Sequence, residues 1–404
     1  MKPESSARPD PANLPLQGLR VVEQGSFITG PLTSLLLGDM GADVIKVERP
    51  GTGDIFRSYD GTLYAPTFRS VNRNKRSITL DTRDTEDRAV FDELIESADV
   101  YVHNFRPGVA DRLGVGSERL RALNPELVYC AISGLGSTGP YAARPAYDTV
   151  AQAYSGMLSL TLDRSDPRIS GPAVADSVTG LYAAQGILAA LVQRGIRGGG
   201  KLVEISMIEA MAHFLAEPYS SFFGTGENPG PYGRAAVSQS YAMRCSDDRL
   251  IALHLSSPPK FWLGLIAAVG LPELAEDPRF KAHAGRIANY EELRTILQAA
   301  FSKRPRDEWL VELSSEDVPH APVLEPSEAI QDPQFQHLKV IISALHPTEG
   351  LVEHIRPPHR FDGTTATQML APPTLGEHND EIRRELAERR RGKGRADGTQ
   401  TTAE

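Results

Sequence analysis

The sequence predicts an α/β fold: a parallel sheet flanked by helices, followed by a smaller α+β segment. Three observations predict it. Short apolar runs alternate with helical stretches along residues 19–133, the order that βαβ units impose because parallel strands need a crossover. The stretch GTGENPGPYGR at 224–234 carries four glycines and two prolines, punctuation that ends one unit and begins another. The 404 residues, 40% hydrophobic and 24% charged, supply enough apolar surface for one large core and a smaller one.

The elements follow in chain order. LRVVEQ is a strand, PLTSLLLGDMGA a helix and DVIKVE a second strand, because short runs of branched apolar residues bracket a longer periodic one. SITL, TEDRAVFDELIESA, DVYVHN, SERLRAL and VYCAIS continue the alternation to Ser133. KLVEISMIEAMAHFLAEPYSSFF passes from strand to helix before the Gly/Pro stretch. Beyond it, YAMRCSDDRLIALHL reads as a hairpin turning at Ser246 to Asp248, and helices are expected around 261–269 and 290–301. This segment ends near VPHAPVLEPSEAIQDPQF. The tail from Arg389 is charged and has no apolar residues to bury, so residues 389–404 are expected to be disordered, as are residues 1–15.

Composition excludes several classes of function. Cys130 and Cys245 lie in unrelated contexts without CxxC or Cys/His spacing, which argues against a disulfide framework or zinc site and fits a reducing, cytoplasmic setting. MKPESSARPDPANLPLQG has no apolar run, and no later stretch of about eighteen apolar residues is evident, so neither a secretory signal nor a membrane span is expected. A net charge of -9 argues against generic nucleic-acid binding, while a local basic cluster can still hold a small polyanion. No HExxH or GxSxG occurs, so zinc and serine hydrolase chemistry lose support.

Three segments carry candidate chemistry. SGPAVAD leads into the small-residue helix ADSVTGLYAAQGILAALVQR. Its single carboxylate, Asp176, reads either as an N-cap or as a nucleophile kept ionised by the positive end of the helix dipole. Arg49, Lys75, Arg76, Arg83, Asn104, Arg106 and Arg112 form a basic and amide-bearing set, several of them just beyond strand ends. Strand carboxyl ends line the ligand crevice of open α/β sheets, so the set reads as a phosphate site or as solvated surface charge. In SGLGSTGPYAARPAYDTVAQAYSG, Gly134, Gly136 and Gly139 match no phosphate-loop pattern and read as a structural loop, and Asp148 is a candidate cap of the helix after Tyr147.

Together, GPLTSLLLGDMGADVIKVERPGTGD, NRNKRSITLD, HNFRPGVADRLG, SGLGSTGPYAARPAYDTVAQ and ADSVTGLYAAQGILAAL resemble the class III CoA-transferase family, which includes formyl-CoA transferase, carnitine CoA-transferase and the α-methylacyl-CoA racemases. The resemblance runs from about residue 16 to 386. It implies a Rossmann-like large domain made from both chain ends (16–223 and 331–388), a small domain inserted at 224–330, and an interlocked homodimer. It also implies that Asp176 is the nucleophile, that coenzyme A is the co-substrate, passed from an acyl-CoA to a carboxylic acid, and that no metal takes part. CoA contacts are implied at Arg49, Leu80, Asp81, Asn104, Phe105, Arg112 and Tyr147, with Arg83 in place of a lysine and Arg106 as in many relatives. The chain departs from formyl-CoA transferase at Ile28 (a glutamine there), Thr29 (alanine) and Pro145 (lysine), and that enzyme's four-glycine loop has no evident equivalent, the nearest candidate being 224–233. These departures argue against formyl-CoA and oxalate as substrates. Racemases carry a histidine where this chain has Tyr147, and a phenol with an ordinary pKa near 10 is a poor acid/base partner at neutral pH.

Overall fold

In the computed structural model, which describes residues 14–59, 64–365 and 369–398, the first apolar run forms the strand β1 (Arg20–Gln24). β2 (Asp43–Glu48), β3 (Lys75–Thr79), β4 (Val100–His103), β5 (Val128–Ser133) and β6 (Leu202–Ser206) complete a sheet in the order β3-β2-β1-β4-β5-β6. Every pairing in it is parallel. Helices cover both faces, so the inner strands are buried nearly throughout: Val21, Val22, Val44, Ile45, Val100, Tyr101, Val102 and Val128 are inside, and so are the charged Glu23, Lys46 and Glu48. Strand order reverses direction between β1 and β4, and in such sheets ligands bind there, beyond the carboxyl ends of the strands.

The helix Thr29–Asp39 follows β1, and the helix Val174–Arg197 leads into β6. Both therefore begin at the carboxyl edge of the sheet. They pack closely, because a Cβ on Gly180 would lie 2.9 Å from Leu32 Cδ2. Val174–Arg197 is long and apolar enough by composition to cross a bilayer, but one face of it, through Ala183, Ile187 and Ala190, packs in the core with Val102, Val128 and Ile132. Its other apolar residues include the exposed Leu181, Val192 and Ile196.

The described residues divide into two units, one comprising those up to Leu158, 168–216 and from Lys339 onward, the other 159–167 and 217–338. In the first, the final segment covers β3, the edge strand. Ser77 N donates to His378 Nδ1 (3.2 Å), Thr79 N to Asn379 Oδ1 (2.8 Å) and Asn74 N to the Leu370 carbonyl (3.1 Å). Arg76 pairs with Asp43 (2.6 Å), Glu381 (2.9 Å) and Glu385 (2.7 Å), and Ile382 and Leu386 are buried beside Phe91 and Tyr101. The same helix, Asn379–Gly398, occupies most of the tail expected to be disordered from Arg389. At the other end, Leu14 to Gln17 form a turn and Leu16 N bonds the Met40 carbonyl at 2.9 Å, while the rest of the expected N-terminal disorder, 1–13, lies outside the described residues.

The second unit holds the antiparallel sheet β7 (Ser240–Arg244), β8 (Leu250–His254) and β9 (His320–Pro322). Trp262, Leu265, Leu293, Leu297, Phe301, Trp309 and Leu313 form its core, and Asp248 takes a left-handed φ of 65° in the hairpin turn. One hairpin of the first unit, β10 (Ile341–His346) with β11 (Gly350–Ile355), was not assigned from sequence.

Candidate active site

Asp176 is the third residue of the helix Val174–Arg197 and lies half-buried in its first turn. The cap position is Ala173, which makes no side-chain cap. A residue 28 positions upstream supplies one: Asp148 Oδ1 accepts from Ala175 N (2.8 Å) and Asp176 N (3.3 Å). Gln152 Nε2 donates to the other oxygen of Asp148 at 2.6 Å. Both capping expectations are thereby corrected. Asp176 is not the cap of its helix, and Asp148 caps the long helix rather than its own, where it is the first residue after the uncapped Tyr147.

The same contacts put two carboxylates side by side. Burial, and then the Asp148 charge, push Asp176 up to about 7. The helix dipole was expected to keep this group ionised at neutral pH. Within one turn that dipole is worth at most about 2 kcal/mol, and burial beside a second carboxylate acts in the opposite direction and outweighs it.

Tyr147 meets the turn after β1 edge-on, its ring 5.5 Å from that of Phe27. Asn104, at the end of β4, fixes that turn: its amide accepts from Ser26 N (3.0 Å) and donates to the Ser26 carbonyl (2.7 Å) and Thr29 Oγ1 (2.9 Å). Asn104, Tyr147 and Asp176 are thus joined through Ser26, Phe27 and Asp148. A second group stands at the ends of β2 and β3, where Arg83 grips Asp81 with two bonds (2.9 and 2.8 Å). Arg83, and more weakly the charge of Arg49, hold Asp81 well below the usual carboxylate range. Leu80 beside them is only 3% exposed and belongs to the core.

Phe105 stacks on His103 (5.1 Å) and, with Arg106, lines a cavity of about 240 Å³ bounded also by Ser133, Ser137 and Glu209. Arg112 lies exposed one turn beyond Gly108. Among the described residues Arg49, Arg106 and Arg112 make no ion pair, so their guanidinium groups are open to an anion. Two members of the basic set are excluded from that role. Lys75 is buried and bonds Glu23 (2.8 Å) and Asn72 (2.9 Å), and Arg76 is consumed by Asp43, Glu381 and Glu385. Among the described residues no group of three or more His, Cys, Asp or Glu is arranged to hold a metal ion.

Sequence reasoning missed Phe27 and the part played by Asp148. The only sign of the latter was the segment YDTVAQ itself, which places a carboxylate directly after Tyr147.

The sequence profile of CoA-transferase family III matches residues 16–379. The chain belongs to CoA-transferase family III. Acetyl-CoA:oxalate CoA-transferase of Acetobacter aceti is 36% identical to it over 348 residues, which cover 82% of this chain and 86% of that protein. Succinyl-CoA:glutarate CoA-transferase of Homo sapiens is 31% identical over 378 residues, covering 92% and 86%. Among solved structures, a CAIB/BAIF family protein from Brucella suis superposes with a TM-score of 0.81 at 35% identity, covering 93% of this chain and 100% of that one. In this family III CoA-transferase, then, the paired carboxylates lie in a fold shared with the Brucella suis protein over nearly the whole length of both chains.

Proposed function

We propose that this enzyme moves coenzyme A from an acyl-CoA thioester to a free carboxylic acid through covalent intermediates on Asp176. The observation that carries the proposal is the half-buried Asp176 carboxylate, held at about 7 beside Asp148 in the first turn of the long helix. Near neutral pH such a group is ionised in a large fraction of molecules while remaining more basic, and so more nucleophilic, than an exposed aspartate. Asp176 attacks the donor thioester carbonyl, forming an aspartyl anhydride and expelling CoA thiolate. The thiolate attacks the aspartyl carbonyl, releasing the donor acid and leaving an aspartyl-CoA thioester. An acceptor carboxylate reverses both steps, and since one thioester replaces another the exchange needs no ATP.

The N–H groups of Ala175, Asp176 and Ser177 are already bonded to Asp148 and the Ala173 carbonyl. That directs oxyanion stabilisation to the Gly134 to Gly139 loop, where Gly136 and Gly139 adopt φ of 101° and 92°. Arg49, Arg83 and Arg112 hold the phosphates and nucleotide of CoA in this reading, with Leu80, Asp81, Asn104, Phe105, Arg106 and Tyr147 around them. Relatives named for oxalate and glutarate support a small dicarboxylic acid as acceptor, and oxalate accordingly belongs in the test despite Ile28 and Thr29. Exposed Leu181, Val192 and Ile196 on the long helix support a second copy of the chain in an interlocked homodimer. The free, buried Cys130 and Cys245 suit a reducing cytoplasm.

A panel of acyl-CoA donors against mono- and dicarboxylate acceptors, followed by mass spectrometry, tests the reaction. The expected intermediate is a CoA-sized adduct on the Asp176 peptide, which hydroxylamine should convert to the aspartyl hydroxamate with release of CoA. Wild-type turnover in Asp176→Ala would end the proposal.

A further inference from the structure

Eight non-glycine residues among those described have a left-handed φ, and Phe27, at 61°, is the one that carries an aromatic ring. A bulky residue held there costs on the order of 1–3 kcal/mol and persists only where its surroundings over-determine it. Here they do so through a buried charge network. Phe27 N donates to Asp54 Oδ1 at 3.2 Å, and Phe56 N donates to the same oxygen at 2.9 Å. Asp54 N is held by Glu48 Oε2 (3.0 Å), and the second Asp54 oxygen pairs with Lys46 Nζ at 2.9 Å. Lys46 also binds Glu23 (2.7 Å) and the Gly25 carbonyl (3.0 Å). Glu23 in turn accepts from Lys75 (2.8 Å) and Ser34 (2.9 Å). Glu23 and Lys46 are fully buried, Lys75 is 1% and Asp54 4% exposed.

So many desolvated charges are weak evidence for stability, because well-packed apolar side chains of the same volume generally do as well. Their placement supplies another reason. They lie beneath the turn after β1, and the ring this turn presents, Phe27, meets Tyr147, whose neighbour Asp148 caps the helix of Asp176. We propose that Asp54 is a positioning residue for the site: anchored by Lys46, which Glu23 holds in turn, it keeps Phe27 in the left-handed conformation that sets its ring against Tyr147, the residue next to the Asp148 cap. The inference rests on the transferase reading for its kinetic consequence but not for its structural one.

Two measurements on the full-length chain test it. With 4-fluorophenylalanine placed at position 27, the unaltered protein should give one narrow 19F resonance displaced from that of the free amino acid. In Asp54→Ala this resonance should broaden and move toward the free value. In exchange assays Asp54→Ala should lower kcat roughly ten- to a hundredfold, the size expected of a misplaced site, with KM for acyl-CoA nearly constant. Phe27→Gly, which accepts the left-handed backbone without strain but removes the ring, should show the same kcat loss, and Asp54→Ala added to it should cost nothing more. Should Asp54→Ala not fold, Asp54→Asn, which keeps the size and drops the charge held by Lys46, carries both readings. An unchanged 19F resonance, or losses that multiply in the double variant, would overturn the proposal. A displaced resonance in a protein that exchanges CoA with no donor would uphold it and reject the transferase reading instead.

Discussion

At Asp176 the proposed nucleophile carries a cost in stability. Its folded-state pKa, about 7, lies above the ordinary aspartate value of 3.8, so between those limits the folded chain binds more protons than the unfolded one and stability falls as pH rises. Asp176→Asn should therefore abolish exchange and yet stabilise the free enzyme at pH 8, by about 1–3 kcal/mol once partial exposure is allowed for. Melting curves should show that gain vanish near pH 4. Asp148→Asn tests the neighbour. Its amide oxygen still accepts from Ala175 and Asp176, but the charge is gone, so the midpoint of the acidic limb of kcat/KM should move from near 7 to lower pH; an unmoved midpoint would mean that Asp148 acts only as a cap. Arg49→Ala and Arg112→Ala remove a charge-assisted contact worth about 1.5–3 kcal/mol and should raise KM for acyl-CoA roughly ten- to a hundredfold with kcat nearly constant. A normal KM in both variants would return these residues to the solvated surface.

At the scale of elements, the central strands were legible because a sheet buried on both faces favours continuous apolar runs, as in Val100 to Val102 and Val128 to Ile132. The β10–β11 hairpin was not legible in the same way: it alternates buried Ile342 and Val352 with exposed Leu345, Leu351 and Ile355, so hydrophobicity alone does not mark its faces. The cap of the long helix was hidden for another reason. Local rules look for a capping side chain within a residue or two, whereas this one comes from a different helix. Lys75 and Arg76 misled because position near a strand says nothing of whether a carboxylate awaits the side chain inside. The packing of the two site helices is testable through Gly180, whose missing Cβ admits Leu32. Gly180→Val should destabilise the fold by about 1–3 kcal/mol through overpacking, seen as a lower denaturant midpoint.

On the scale of the whole molecule, the first unit draws on segments from both ends of the described chain, with the second unit interposed. The rim of its sheet thus depends on residues separated by most of the sequence. Ser77 and Thr79 find their backbone partners only at His378 and Asn379, 301 and 300 residues further on. A chain emerging from a ribosome at about 5–20 residues per second would make that span in roughly 15–60 seconds. For that interval β3 is an unsatisfied edge, a template for any strand that passes. Nascent chains halted before residue 369 should bind holding chaperones and precipitate without them, while the second unit, whose three strands all lie within 217–338, can acquire protease resistance before synthesis ends.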